Sequence, residues 1–521
     1  MRQRNTMINF IVGIVVYMVI TVTTFITPAV IANNLGDNIS KLSNALLAAT
    51  SILGIIELGI GTGIVYKLYE PIAKKDNEKI AVILLFYKKA YKIIASVVFF
   101  AGLIYAFLFP YINVTLLAKF PSDSGTWMSV MFMICVCDVL ATYLFAHKRS
   151  MIIADQRNYI INIAHCLAVV LACVVQVIIA KVFRSFELFL IAKVASTLFE
   201  SLFVHFMYKK RYSYINLKTK SRLDKAEKDS FMKSIKALFM HRIGGASISI
   251  IPKNIINAVI PDIGRNYGFY TLVTEGLIRV INQIFSAIVA SFGNVLVTES
   301  KDTAFDRFKS LYLLNHLVQS FFCVGFYTCI SQFIIIYPTK EVKWFISSTA
   351  VILLLIYFYI MGMRESILMV KVSAGIYRED RFFAVGEAAS NVLLSLILVR
   401  PFGLEGVLFA NIITTIMIPI WTQPYLVYKI VFNKSLKHYY KMLFVYASLT
   451  ATYVVITHFV CQWVHIRNVY VDFFFRMLMS AIIPNVLNVI IFWKKSEFQY
   501  IKNAVFGVLG KFFRKKKAEI V

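Results

Sequence analysis

Apolar runs of about twenty residues, the length that crosses the hydrocarbon core of a bilayer, recur along the whole chain. They predict fourteen spanning helices, at about 8–32, 42–66, 80–110, 126–146, 152–180, 188–208, 236–260, 266–297, 311–336, 344–370, 382–399, 404–428, 442–464 and 473–493. The polar stretches between them are mostly about 5 to 15 residues long, too short for a folded soluble domain. The longest is the basic segment from Lys209 to Lys233. The first run, Met7 to Ala32, follows Arg2 and Arg4; it is too long for a signal h-region and lacks a small-x-small site, so it is expected to be the first span. The expected class is an all-α integral membrane protein.

Charge fixes the orientation. Of the 521 residues, 59% are hydrophobic and only 16% charged, against about 25% charged in soluble domains. With the N-terminus on one side and strict alternation, non-spanning stretches on that side carry two to nine Lys and Arg each, and those on the other side one or two. Lys and Arg collect on the cytoplasmic side, so both ends are expected there. The net charge of +28 is then topology. It is spread over all the cytoplasmic loops rather than gathered in one patch, so nucleic acid is not an expected partner.

The expected organisation is an N-terminal lobe at 1–208 (helices 1–6), a basic linker at 209–235, a C-terminal lobe at 236–432 (helices 7–12), two additional helices at 433–495 and a basic amphipathic tail at 496–521. A six-plus-six duplication is echoed in Asp155-Gln-Arg-Asn-Tyr159 and Glu379-Asp-Arg-Phe-Phe383, which open the fifth and eleventh spans and precede Asn162 and Asn391. The seven cysteines lie in or beside spans, and their odd number argues against a disulfide framework. There is no phosphate-binding G-x-x-x-x-G-K-[ST] loop and no HExxH. No cofactor, metal or enzymatic activity is expected, and transport fits fourteen helices best.

Charges within spans each cost a few kcal/mol against lipid and should face protein or water. On the seventh, Arg242 and Lys253 are eleven residues apart, about three turns, with Ser249 on the same face, Asn257 close by, and the kinking Pro252. The eighth carries Glu275 and Arg279 at i,i+4, continued by Asn282, Gln283 and Ser286. One reading is a cationic cavity for an anionic headgroup; the other is a structural network in which Glu275 satisfies Arg279. Three cations against one acid favour the cavity. Glu57, before a Gly59-x-x-x-Gly63 spacing that permits close helix approach, is a candidate ion-coupling site or a partner for Arg242 or Arg279. Asp138 is a second coupling candidate, or a buried hydrogen-bonded acid. Lys193 and Glu200 share a face of the sixth span and could bridge to neighbours; Arg364, Glu365 and Glu387, near the cytoplasmic side, could snorkel. Lys88, Lys89 and Lys92 read either as collectors of lipid-linked phosphate or as positive-inside charge touching anionic lipid.

Several segments taken in order resemble one family. Ser51 to Lys67, with Leu68 to Glu78 after it, is similar to the second helix of Wzx-type bacterial polysaccharide flippases, of the multidrug/oligosaccharidyl-lipid/polysaccharide exporter superfamily. Lys236 to Gly245, Tyr270 to Ser300 with Ala290-Ser-Phe-Gly-Asn294, Ala374 to Arg381, Gly403 to Val407 and Pro419 to Phe432 resemble later helices of the same family. The resemblance implies two six-helix lobes around a central cavity, plus two C-terminal helices. It implies as cargo an undecaprenyl-diphosphate-linked oligosaccharide, moved to the outer leaflet of a bacterial plasma membrane by alternating access for cell-surface polysaccharide (O-antigen, capsule or exopolysaccharide) synthesis. Membrane lipids and other polysaccharide-assembly membrane proteins are the partners it implies. Relatives line the cavity with cations from the first, second, seventh and eighth helices; here Arg242, Lys253 and Arg279 occupy the last two, and the first helix has no Lys or Arg between Met7 and Asn34. Two alternatives stand beside this expectation. A cation-coupled multidrug exporter predicts an acidic cavity, and a glycan polymerase or glycosyltransferase predicts a large outer loop; the chain has an excess of intramembrane cations and only short outer loops.

Overall fold

The computed structural model describes residues 2–54, 60–217, 219, 223–224, 227–229, 250–337, 344–376, 379 and 381–504. Among the described residues every regular element is helical. The first span is Arg2–Asn34. Asp37–Gly54 and Ile60–Lys74 flank 55–59 where the second is expected, and Asn77–Ile112 is the third. Ser124–Tyr143 is the fourth, Asn158–Ile178 with a π-helical turn Ile179–Phe183 the fifth, and Phe186–Arg211 the sixth. A short helix, Ala146–Ala154, joins the fourth to the fifth. Helix 250–259 is the described part of the seventh, and Pro261–Thr298, Lys301–Ile336 and Ser348–Ser373 are the eighth to tenth. Arg381–Met417, Pro419–Leu426 and Val427–Phe432 hold the eleventh and twelfth, and Leu436–Trp463 and Val469–Phe492 the last two. Among the described residues, ten helices are long and apolar enough to cross a membrane, or eleven with the bent eighth; Phe382–Phe432 counts once among them. The fold is an all-α membrane fold in which fourteen spans are accommodated.

Polar residues at the span ends set where helices start, because the first N–H groups have no intrahelical partner and lipid supplies none. Asp76, Ser185, Ser300, Ser347 and Asn468 each accept a backbone N–H at the start of the third, sixth, ninth, tenth and fourteenth spans. The eleventh and twelfth spans are separated by a kink at Gly403, whose φ of 58° and ψ of −132° no L side chain adopts readily. A Cβ on Gly406 would collide with the Leu398 carbonyl, so the hairpin requires glycine there too. Lipid-facing surface shows as exposed apolar stripes, such as Phe100, Ile104, Phe107 and Tyr111 along the third span.

The chain divides into two compact units, Met1–Arg265 with Pro338–Val342, and Asn266–Tyr337 with Lys343–Val521. The boundary at Arg265 falls inside the stretch 236–432 expected as one lobe. Polar ties account for it. Asn254 Nδ2 donates to the Ala48 carbonyl at 2.9 Å, and Asn44 Nδ2 donates to Asn257 Oδ1 at 2.8 Å and to the Gly264 carbonyl at 3.1 Å. At the end assigned to the outside, Lys41 bridges Asp37 and Asp262 at 2.5 Å each. Lys119 joins Asp262 and Arg265 joins Asp37 in the same cluster. Side chains from three connections thus pin the end of the seventh span to the second and third.

In the second unit the ninth span is the hub. Toward the tenth, Asn315 donates to the Gly362 and Met363 carbonyls (3.0 and 3.2 Å) and Gln319 to Phe358 (2.9 Å). Toward the fourteenth, antiparallel rungs pair Ser320 with Asn488 (3.2 Å), Thr328 with Ser480 (2.6 Å) and Gln332 with Asp472 (2.9 Å). The last two spans are therefore hydrogen-bonded parts of this unit.

Candidate functional site

Glu57, Arg242 and Ser249 lie outside the described residues. Of the rest, Lys253 and Asn257 belong to the first unit and Glu275, Arg279, Asn282 and Gln283 to the second. Asn257 is buried; its Nδ2 donates to the Lys253 carbonyl at 2.8 Å and its Oδ1 accepts from Asn44. Its amide is thereby engaged in joining two helices. Lys253 is half-buried one turn earlier.

The eighth span carries the rest of the polar stripe. Arg279 is exposed, and its Nε donates to the Glu275 backbone carbonyl at 3.3 Å. Arg279 thus touches Glu275 through its main-chain carbonyl, one turn back along the same helix. Gln283 is exposed, and its carbonyl accepts from Ser286 at 3.0 Å. With its amide oriented to donate, the Asn282 nitrogen lies 2.6 and 3.0 Å from the two oxygens of Glu365 on the tenth span. The stripe therefore includes an acid from a neighbouring helix. The sequence signal for that link, a polar residue and an acid in two nearby spans, does not specify a pair.

Arg364 and Glu387 do not snorkel. Both are buried, with Arg364 Nη1 3.3 Å from Glu387 Oε1 and Arg364 Nε 3.3 Å from Gln423 Oε1. Three helices, the tenth, eleventh and twelfth, converge on this pair, so its charge is compensated inside protein rather than at the interface.

In the first unit, Asp138 accepts from Thr197 Oγ1 at 2.5 Å and lies 3.4 Å from Lys193 Nζ. Glu200, buried one face-repeat further along the sixth span, holds His165 Nδ1 at 2.8 Å and pairs with Arg149. The sixth-span charges bridge to the fourth and fifth spans and to the short helix. Among the described residues no group of three or more His, Cys, Asp or Glu is placed to hold a metal ion.

No family model matches the chain, and neither does any curated protein sequence. Solved structures do. A structure described as "Lipid II flippase MurJ, inward closed conformation" is similar with a TM-score of 0.66 at 12% identity, covering 92% of this chain and 98% of that one. An "Inward-facing conformation of a multidrug resistance MATE family transporter of the MOP superfamily" matches with a TM-score of 0.59 at 12% identity, covering 79% and 96%. The chain has the fold of these transporters. That fold is reached at an identity too low to carry the chemistry of a site across.

Proposed function

We propose that the chain is a flippase that moves an undecaprenyl-diphosphate-linked oligosaccharide from the cytoplasmic to the outer leaflet of a bacterial plasma membrane by alternating access. The observation that carries this reading is the length-wide likeness to a lipid II flippase, 92% of this chain on 98% of that one. The cationic seventh and eighth spans support it. A diphosphate does not cross hydrocarbon unaided, because its hydration must be replaced by charge-assisted hydrogen bonds. Arg242, Lys253 and Arg279 are the proposed phosphate-binding cations. Glu275, Ser249, Asn257, Asn282 and Gln283 are the polar groups proposed around them, and Glu57 and Asp138 the proposed ion-coupling acids.

A second reading, cation-coupled export of small molecules, is favoured by the likeness to a multidrug transporter over 79% of the chain. One experiment separates the two. Cells lacking the protein are assayed for lipid-linked oligosaccharide and its sidedness, then complemented with wild type, Arg242→Gln, Lys253→Gln or Arg279→Gln at matched expression. Cytoplasmic-face accumulation, reversed by wild type and not by the variants, is the expected result. Rescue by all three variants would keep the flippase and discard these residues. Absence of accumulation together with drug hypersensitivity would replace the flippase by the exporter.

A further inference from the structure

The short helix Ala146–Ala154 belongs to the first unit and, with the neighbouring ends of the third and sixth spans, gathers basic side chains, of which Arg149 is matched by Glu200. Lys148 Nζ contacts His205 Nδ1 at 2.7 Å and stands 5.0 Å from the centre of the Phe145 ring and 5.3 Å from that of Tyr208. Phe145 and His205 pack with ring centres 4.5 Å apart. Among the described residues no carboxylate pairs with Lys148. Glu200, one turn away from His205 on the sixth span, is already held by Arg149 and His165.

Two observations point to an anion-binding site. The first is electrostatic. Burial first, then Lys88 of the third span and Lys209 of the sixth, hold the Lys148 ammonium below its usual range. Burial, then Lys148, Lys88 and His205, push His147 down to about 3. Positive charge from three elements therefore accumulates here. The second is a pair of buried polar atoms. His147 and Tyr208 are 3% and 4% exposed, and His147 Nε2 and the Tyr208 hydroxyl have no hydrogen-bond partner among the described residues. Buried polar atoms are rarely left so.

We infer that Lys88, Lys148, Lys209, His147 and Tyr208 form a binding site for the phosphate of an anionic phospholipid of the cytoplasmic leaflet, separate from the proposed transport path. All of these residues lie at span ends that the distribution of Lys and Arg assigns to the cytoplasm, where anionic headgroups sit. An aromatic and histidine cradle that fixes one lysine differs from loop charge that merely faces the membrane. The inference does not depend on which cargo is moved.

The test uses the full-length protein in phosphatidylcholine nanodiscs, with phosphatidylglycerol titrated in and the thermal midpoint read. The variant is Lys88→Gln/Lys148→Met/Lys209→Gln, where methionine preserves the packing on Phe145 and Tyr208. Phosphatidylglycerol should raise the wild-type midpoint, with an apparent affinity about a hundredfold weaker in the triple variant. The variant's midpoint in phosphatidylcholine alone checks that it is folded, and the double variant Lys88→Gln/Lys209→Gln, at exposed positions, replaces it if it is not. Equal responses of wild type and variant would overturn the site. Reproduction of the shift by inorganic phosphate, or by undecaprenyl diphosphate but not phosphatidylglycerol, would overturn the assignment to a leaflet phospholipid.

Discussion

Arg364 and Glu387 are each buried, 3.3 Å apart, so each charge offsets part of the cost of burying the other. Removing one partner of such a pair typically costs about 3–5 kcal/mol, whereas replacing both by apolar residues is often neutral. Glu387→Gln should therefore lower the thermal midpoint in detergent sharply, and Arg364→Met/Glu387→Met should recover most of the loss. A midpoint lower in the double than in the single variant would show that the pair stabilises in its own right. Gly362 offers a second test at this scale. A Cβ there would land on the Gln319 side chain, which donates to the tenth span at Phe358. Gly362→Ala should thus displace Gln319 and destabilise, by roughly 1–3 kcal/mol for overpacking, and Gly362→Ala/Gln319→Ala should lose less than the sum of the two single changes. The sequence showed Arg364, Glu387, Lys193 and Glu200 as charges inside spans. It did not show their partners, because a helical repeat tells which residues share a face and is silent about which face of another helix meets it. Asn257 illustrates the same limit: spacing set it near Lys253, and only packing showed its amide engaged by Asn44.

At the scale of elements the hydrophobic runs were the strongest signal. Runs at 80–110, 311–336 and 473–493 are helices Asn77–Ile112, Lys301–Ile336 and Val469–Phe492. The helices overrun the apolar segments where polar caps outside the hydrocarbon extend them, as Asp76 and Ser300 do. The helices before the fifth and eleventh spans end alike, although the two turns stand at different positions relative to the echo, Gln156 within it and Gly375 before it. Gln156 and Gly375, both at positive φ, close the preceding helices with the same pair of backbone bonds. Lys75 closes Ile60–Lys74 in the same way, so the turn alone does not prove duplication. What the pattern could not give is the antiparallel ladder between the ninth and fourteenth spans. Hydrogen bonds between helices in a bilayer average about 0.6 kcal/mol. In a double-mutant cycle of Thr328→Val and Ser480→Ala, the unfolding free energies should show a coupling of about that size. A coupling near zero would mean that the 2.6 Å contact contributes only packing. The outer cluster allows a larger test. Asp262 joins both Lys41 and Lys119, so Asp262→Asn removes two pairings at once. Protease cleavage between the seventh and eighth spans should then speed up relative to wild type, while Lys74→Ala, whose bridge to Glu70 is fully exposed, should leave cleavage unchanged.

For the whole molecule, the order of the spans was legible because lipid imposes it: each run must cross, and each connection must lie on one side or the other. Orientation follows from a different physical cause, the retention of Lys and Arg in the cytoplasm, and it is therefore testable apart from the fold. Lys228 lies in the basic linker and Lys119 in the connection after the third span, on opposite sides by alternation. Single cysteines at these positions, introduced after the seven native cysteines are replaced, can be labelled with a membrane-impermeant maleimide on intact cells. Lys119→Cys, whose substitution itself removes the ion pair with Asp262, should react from outside. Lys228→Cys should react only after permeabilisation. The reverse pattern would invert the topology and remove the cytoplasmic phosphate site with it, since Lys88, Lys148 and Lys209 would then face the outer leaflet. Reaction of both positions from the same side would mean that the number of crossings between them is even rather than odd. The expected count is three, so that outcome would strike at the helix assignment between residues 126 and 208, where the described helices Ser124–Tyr143, Asn158–Ile178 and Phe186–Arg211 each leave room for one crossing.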